Sequence, residues 1–229
     1  MKARSALSFF LLLASFACNA SARVPHLLET ALQKLVDAED EWAYTQVYRR
    51  VDRPNAETVA RFDPSKQHPH QWELVKLRGE TPTRSEAERW CKRRSQENVT
   101  NDASALADLM DLDRAVVSSE TGSVVTFEVP LKRQTIKRVP AENFIVYAEV
   151  SRETQALNKL SVTLREGIRI FGGIAQIESA QGEVVFQSLA RDEPPRPVYI
   201  SARGHGQALF RKVFRSAEIF YVDQRRVRS

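Results

Sequence analysis

Residues 62–94 read FDPSKQHPHQWELVKLRGETPTRSEAERWCKRR, and four local structures follow one another within them. Asp63-Pro64 makes a turn, Trp72 to Leu77 is short and apolar enough for a strand, and Gly79 supplies the next turn. Thr83 and Glu86 then stand at the Ser/Thr-x-x-Glu spacing of a capping box, in which each side chain satisfies a backbone N–H that the first helical turn leaves open. A charged helix therefore begins at Arg84 and runs to about Gln96. Nothing in the stretch is a catalytic signature; it is the unit by which a strand is joined to a lid.

Upstream, Pro25 to Glu41 reads as a helix, with Leu28, Ala31, Leu32, Leu35 and Val36 at helical spacing on one face. From Trp42 the period changes to two: Trp42, Tyr44, Gln46 and Tyr48 share one face of a strand, and Ala43, Thr45 and Val47 the other. A turn over Arg50 to Asn55 leads into a short strand from Glu57 to Phe62.

Downstream, Ser104 to Met110 carries the spacing of a short amphipathic helix, and after it the chain reads almost entirely as strands. A hairpin with its glycine at Gly122 joins Arg114–Ser118 to Ser123–Val129. Phe144 to Val150 is apolar on both faces, as a strand in a covered sheet is. Leu160, Val162 and Leu164 alternate with polar residues; Gly172-Gly173 marks a bend, Gln181-Gly182 a hairpin turn, and Gly204-His205-Gly206 a break after the row Val198, Ile200 and Ala202. Leu209–Phe214 and Ala217–Asp223 close the series. About ten or eleven antiparallel strands and two or three helices make an α+β chain. The economical architecture is a strongly curved antiparallel sheet, a half-open β-barrel, with helices filling or lidding its concave face.

Residues 1–22 have the build of a cleavable signal peptide: Lys2 and Arg4, an apolar run from Ala6 to Ala17, and Ala20-Ser21-Ala22 at the cut. That run is shorter than the roughly 20 residues that span a bilayer. Cys18 offers a lipidation site, but Ser15-Phe16-Ala17 lacks the aliphatic residue that such a site carries at its third position back, so cleavage after Ala22 is preferred and export to the periplasm is the expectation. Removing the leader lowers the formal net charge from +5 to +3, a mild balance that gives little reason for a nucleic-acid partner. Residues 23–229 then suit a single domain with a helical insertion at about 83–111, and their one cysteine, Cys91, reads as a small buried residue rather than a reactive thiol.

The chemistry-bearing patterns are sparse. His68 and His70 stand two apart without a third ligand, so no metal is expected; nucleophile elbows, phosphate loops and paired cysteines are absent, and with them the common enzyme classes and any cofactor. The helical segments and the charged strand edges also argue against a membrane-spanning barrel. Two features remain. The aromatic residues Trp42, Tyr44, Tyr48, Trp72, Phe127, Phe144, Phe186, Phe210 and Phe220 are core, or, since a curved sheet has more concave surface than a few helices cover, they line an apolar cavity. Arg84, Arg89, Lys92, Arg93 and Arg94 form a solvated face or a contact for an anionic lipid or protein partner, helped by Arg225, Arg226 and Arg228.

The succession Phe62-Asp63-Pro64-Ser65, Gln71-Trp72-Glu73-Leu74 and Gly79-Glu80-Thr81-Pro82-Thr83 resembles a group of uncharacterised exported bacterial proteins. That group is similar in architecture to the periplasmic lipoprotein carrier, its outer-membrane receptor and the periplasmic regulator that binds an anti-sigma factor. The resemblance implies a half-open barrel with a helical lid over a cavity for acyl chains or a hydrophobic peptide; the basic helix after Thr83 departs from the plain carrier pattern. The expected function is a non-enzymatic periplasmic binding protein holding a lipid, acyl chain or lipidated partner. The alternative is an envelope-signalling or assembly module that binds another protein through the basic helix.

Overall fold

The structure is a computed structural model and describes residues 24–36, 42–96, 102–133, 135–136, 139–170, 175–188, 191, 193–208 and 211–227. The signal peptide with Cys18, the Gly172-Gly173 bend, Phe210 and Arg228 lie outside the described residues. In chain order the elements are α1 (Val24–Val36), β1 (Trp42–Arg50), β2 (Arg53–Phe62), β3 (Trp72–Lys76), α2 (Arg84–Gln96), α3 (Asp102–Leu109), β4 (Val116–Glu120), β5 (Val124–Pro130), β6 (Thr135–Ile136), β7 (Val139–Pro140), β8 (Phe144–Ser151), β9 (Leu157–Leu164), β10 (Ile168–Ile170), β11 (Ala175–Gln187), β12 (Arg196–Ala208) and β13 (Arg211–Arg226).

Eleven strands form one antiparallel sheet in the order β3-β2-β1-β13-β12-β11-β9-β8-β5-β4, with β10 beside β11, while β6 and β7 form a separate ribbon. The sheet is strongly curved and open, since β3 and β4 end it without meeting. The expected α+β, mainly β, half-open architecture is therefore the one observed.

The core is at the β5-β8-β9 end. Leu28, Ala31, Leu32 and Leu35 of α1 are buried there against Phe127, Val146, Ala148, Leu157, Leu160 and Phe186, and Met110 closes the end below α3. Val36, read from the sequence as part of that apolar face, is 41% exposed because the helix ends there. Lys34 holds α1 in place from its rim by donating to the carbonyls of Thr154 and Arg191, each at 2.7 Å.

Two interruptions assigned from glycine, a hairpin turn at Gln181-Gly182 and a break at Gly204-His205-Gly206, are continuous strand. β11 runs unbroken through Gln181-Gly182, where Gly182 pairs with Val162 on one side and Ala202 on the other. β12 likewise continues through Gly204-His205-Gly206. At Gly206 a Cβ would run into the Gln176 carbonyl, so that glycine permits a close approach of backbones beside a bulge at Ile177/Ser179. In the β4-β5 hairpin the turn is held by Thr121, whose N–H and hydroxyl both donate to the Val124 carbonyl, and Gly122 does not take a positive φ. Among the described residues the glycine that does is Gly79, after Arg78 with φ 55°, in the tight turn between Leu77 and Glu80. β2 also begins earlier than read, at Arg53, because only Val51-Asp52 form the turn.

Candidate functional site

Directly paired residues of neighbouring strands share a face, so the register defines what the concave surface is made of. One row runs Val146, Val162, Gly182, Ala202, Ala217 and Arg50 across β8, β9, β11, β12, β13 and β1. The next runs Ala148, Leu160, Val184, Ile200, Ile219, Tyr48 and Thr58, ending on β2. Where α1 covers the sheet the rows carry large apolar residues. In the middle they carry Gly182, Ala202 and Ala217, and no described helix lies over them. The result is a groove of about 420 Å³ floored by these small residues, walled by Tyr48, Phe144 and Val162, and rimmed by Arg50, Arg203 and Arg215.

A second hollow of about 550 Å³ continues from it at Tyr48, which lines both. Its floor is Gln46, Thr58, Ala60 and Ile219, and its roof is Trp90, Arg93 and Arg94 of α2. α2 buries none of its residues fully. It is seated through Trp72: Trp90 meets that ring edge-on at 5.9 Å, the Arg94 guanidinium lies 4.9 Å from its centroid, and the Cys91 thiol donates to its carbonyl at 3.4 Å. Trp72 in turn stacks with Phe62, and both meet Tyr44, which continues to Tyr221.

The two hollows are lined by five arginines and by no Asp or Glu. The Arg50 guanidinium, hydrogen-bonded to Asp52, is held above its ordinary range, and Asp52 is held below the usual carboxylate range by the same bond. The convex face is different. It carries cross-strand ion pairs, among them Lys159–Glu149 at 2.9 Å, Arg165–Glu128 at 3.0 Å and Arg49–Glu57 at 2.9 Å. The concave strip thus combines an apolar floor with arginine guanidiniums along its rim, that of Arg50 also paired with Asp52, a surface suited to holding an apolar molecule that carries an anionic group.

Of the aromatic residues expected to line a cavity, Tyr48 and Phe144 do so. Phe127, Phe186 and Trp72 are instead core, at 0%, 5% and 6% exposure, because α1 and α2 sit directly upon them. Tyr44 belongs to the cluster around Trp72, and Trp42 lies beneath the Arg196 guanidinium. Phe220 is on the convex face, against Tyr199 and under Arg49; its neighbours Ile219 and Tyr221 take the concave side. Of the basic residues, Arg93 and Arg94 reach the hollow, whereas Arg89 and Lys92 are exposed on α2 and Arg84 pairs with Glu88 at 2.8 Å. Sequence reading missed Arg50, Arg203 and Arg215 and the Gly/Ala floor. The signal for the floor is present as Gly182 and Gly204, which by themselves read as a turn and a break.

Among the described residues no three His, Cys, Asp or Glu side chains are grouped to hold a metal ion. His68 makes a 3.1 Å contact with the Ser95 carbonyl, and His70 is an exposed turn residue. No described helix is long and apolar enough to cross a membrane.

No family model and no curated protein matches the chain. Among solved structures, the crystal structure of MucB in complex with MucA(peri) is similar at 10% identity and a TM-score of 0.23, over 88% of this chain and 99% of that one. At that score the two structures superpose too poorly for any property to pass from one to the other.

Proposed function

We propose that this is a non-enzymatic periplasmic binding protein that shelters a lipid, an acyl chain or the acyl group of a lipidated partner in the concave groove. The observation that carries the reading is the uncovered strip between α1 and α2, where Gly182, Ala202 and Ala217 leave a hollow in an otherwise filled sheet. Its volume and that of the hollow beneath α2 fall in the range of small-molecule sites, roughly 300–1,000 Å³. An acyl chain would lie along the Gly/Ala floor toward Tyr48, with its anionic head at Arg50 and Arg215 on the rim of the groove. No bond is made or broken; binding removes apolar surface from water at about 25 cal/mol per Å² before the ordering cost is subtracted.

Native mass spectrometry of protein extracted without detergent tests this. A reproducible adduct of lipid mass is expected, together with a change in Trp90 fluorescence when the stripped protein is titrated with a fatty acid. A protein that remains adduct-free and does not respond to the titration refutes the reading.

A second reading is supported by α2 itself, which presents Arg89 and Lys92 outward and is seated mainly on one tryptophan. In this reading the helix docks an envelope protein in signalling or assembly. Charge reversal at Arg89 and Lys92 would then abolish capture of that partner while lipid uptake persists; equal capture by the reversed variant removes this reading.

A further inference from the structure

β13 is longer than the strand beside it. It pairs with β12 from Arg211 onward, but its ladder with β1 starts only at Ala217, opposite Arg50, and the last bond on that side runs from the Val51 N–H to the Ser216 carbonyl at 3.1 Å. Beyond it, Arg211 to Arg215 have no strand on the β1 side among the described residues. Backbone groups alternate along a strand. Since the Ser216 carbonyl points toward β1, the N–H and C=O of Phe214 and Lys212 point the same way, into the open.

A free edge is a template for another strand, and proteins commonly guard such edges with charge. Here the guard has one sign: residues 203–216 hold four Lys or Arg and no Asp or Glu. A second copy of this edge would set Arg211, Lys212 and Arg215 against their own equivalents, which is unfavourable in a directly paired ladder. An incoming strand with carboxylates would be attracted.

The two faces beside the edge are also hollow. On the convex side a depression of about 550 Å³ is lined by Val51, Ser179, Arg203, His205 and Phe214, with Glu218, which accepts from the Tyr199 hydroxyl, at its far end; Phe214 is 43% exposed and its ring is 4.7 Å from that of His205. On the concave side lies the mouth of the groove, with Arg50 and Arg215. An extended segment sends successive side chains to opposite faces, so it would fill both. We infer that the Arg211–Arg215 edge of β13 is a docking site for an extended acidic segment of a protein partner, added to the sheet as a strand in line with β1. Backbone bonds to Lys212 and Phe214 supply affinity, and carboxylates facing the arginines with an apolar side chain on Phe214 supply selectivity. This surface meets the groove at Arg50 and Arg215 but rests on the backbone edge of Lys212 and Phe214, and it does not depend on a lipid being held on the apolar floor.

The probe is a fluorescein-labelled, acetylated peptide Glu-Val-Glu-Phe-Glu-Val, followed by anisotropy with the purified protein. Saturable binding is expected, with protection of the Lys212 and Phe214 amides from hydrogen exchange. The same peptide N-methylated at alternate residues, which cannot complete the ladder, should bind about tenfold or more weakly, as should a Lys-for-Glu version. Lys212→Pro removes one outward N–H while leaving those of Arg211 and Val213 to β12, and should lower affinity similarly at unchanged melting temperature; Arg211→Glu with Arg215→Glu tests charge alone. If Lys212→Pro does not fold, the N-methylated peptide on the unaltered protein still decides. Equal binding of the N-methylated peptide overturns the proposal, as does unchanged affinity in the charge-reversed variant. A concentration-dependent dimer that forms without peptide and is lost in Lys212→Pro overturns it in favour of a second copy.

Discussion

Phe127 and Asp63 show two ways in which single residues hold this fold. Phe127 is completely buried beneath α1, so Phe127→Ala leaves a cavity that the α1–sheet contact cannot close, and a loss of about 3–5 kcal/mol is expected in urea unfolding. Asp63 accepts from the Ser65 hydroxyl at 2.6 Å and the Ser65 N–H at 3.1 Å, and its other oxygen takes the Arg225 guanidinium at 2.9 Å. The Ser65 hydroxyl chiefly, with its N–H and the Arg225 charge, holds this carboxyl below the usual carboxylate range. A carboxyl lowered by folding contributes its full stability above the ordinary carboxylate pKa, about 4, and loses it as pH falls through the folded value. The gap in urea midpoint between the protein and Asp63→Asn should therefore be constant near neutrality and shrink below about pH 4; a gap that does not change with pH would assign it to geometry alone. Phe127 was legible as a core residue, but the tie from Asp63 to Arg225 was not. The Asp63-Pro64 turn was, but Arg225 comes near only through the β1-β13 pairing. Phe220 was misplaced for a related reason: Ile219, Phe220 and Tyr221 are all apolar, and no local pattern tells which of them faces inward.

At the scale of elements, what could be read was what is encoded locally. α2 spans Arg84–Gln96 as its capping box indicated: the Thr83 N–H donates to Glu86 at 2.9 Å, and the Glu86 N–H donates back to the Thr83 hydroxyl at 3.4 Å. The bond from the Thr83 N–H is also the main cause of the lowered Glu86 pKa. With no residue fully buried, the helix depends on this cap and on its seat at Trp72 more than a core helix would. Thr83→Ala should cost the helix about 1 kcal/mol, read as faster amide exchange across 84–96 and unchanged exchange in β8 and β9; uniform acceleration would mean that α2 is coupled to the core. Glycine was the least legible element signal. Gly182 and Gly204 have the same local appearance in a turn and in a strand, and only the pairing of β11 and β12 over thirteen residues each decides between them.

For the whole molecule, that misreading concealed the site, because residues too small to fill a sheet face look like breaks in a strand until both neighbours are known. A curved sheet with surplus concave surface was legible in the sequence, but of the large aromatics expected to line it Phe127, Phe186 and Trp72 are covered by α1 and α2, Phe220 faces the other way, and Tyr48 and Phe144 reach the groove. The hollow lies instead where the strands are longest and the side chains smallest, so it can be closed without touching the core. Ala202 is exposed on the concave face, opposite Gly182 and Ala217. A tryptophan there projects into open space rather than into packed atoms, so Ala202→Trp should shift stability by no more than about 0.5 kcal/mol, while its ring occupies much of the 420 Å³ groove. Fatty-acid titration should then show uptake lost in Ala202→Trp and kept in Ser119→Trp, which adds the same apolar surface on the exposed edge strand β4. Uptake retained in Ala202→Trp would move the ligand to the hollow beneath α2, where Arg93 and Trp90 would become the residues to vary.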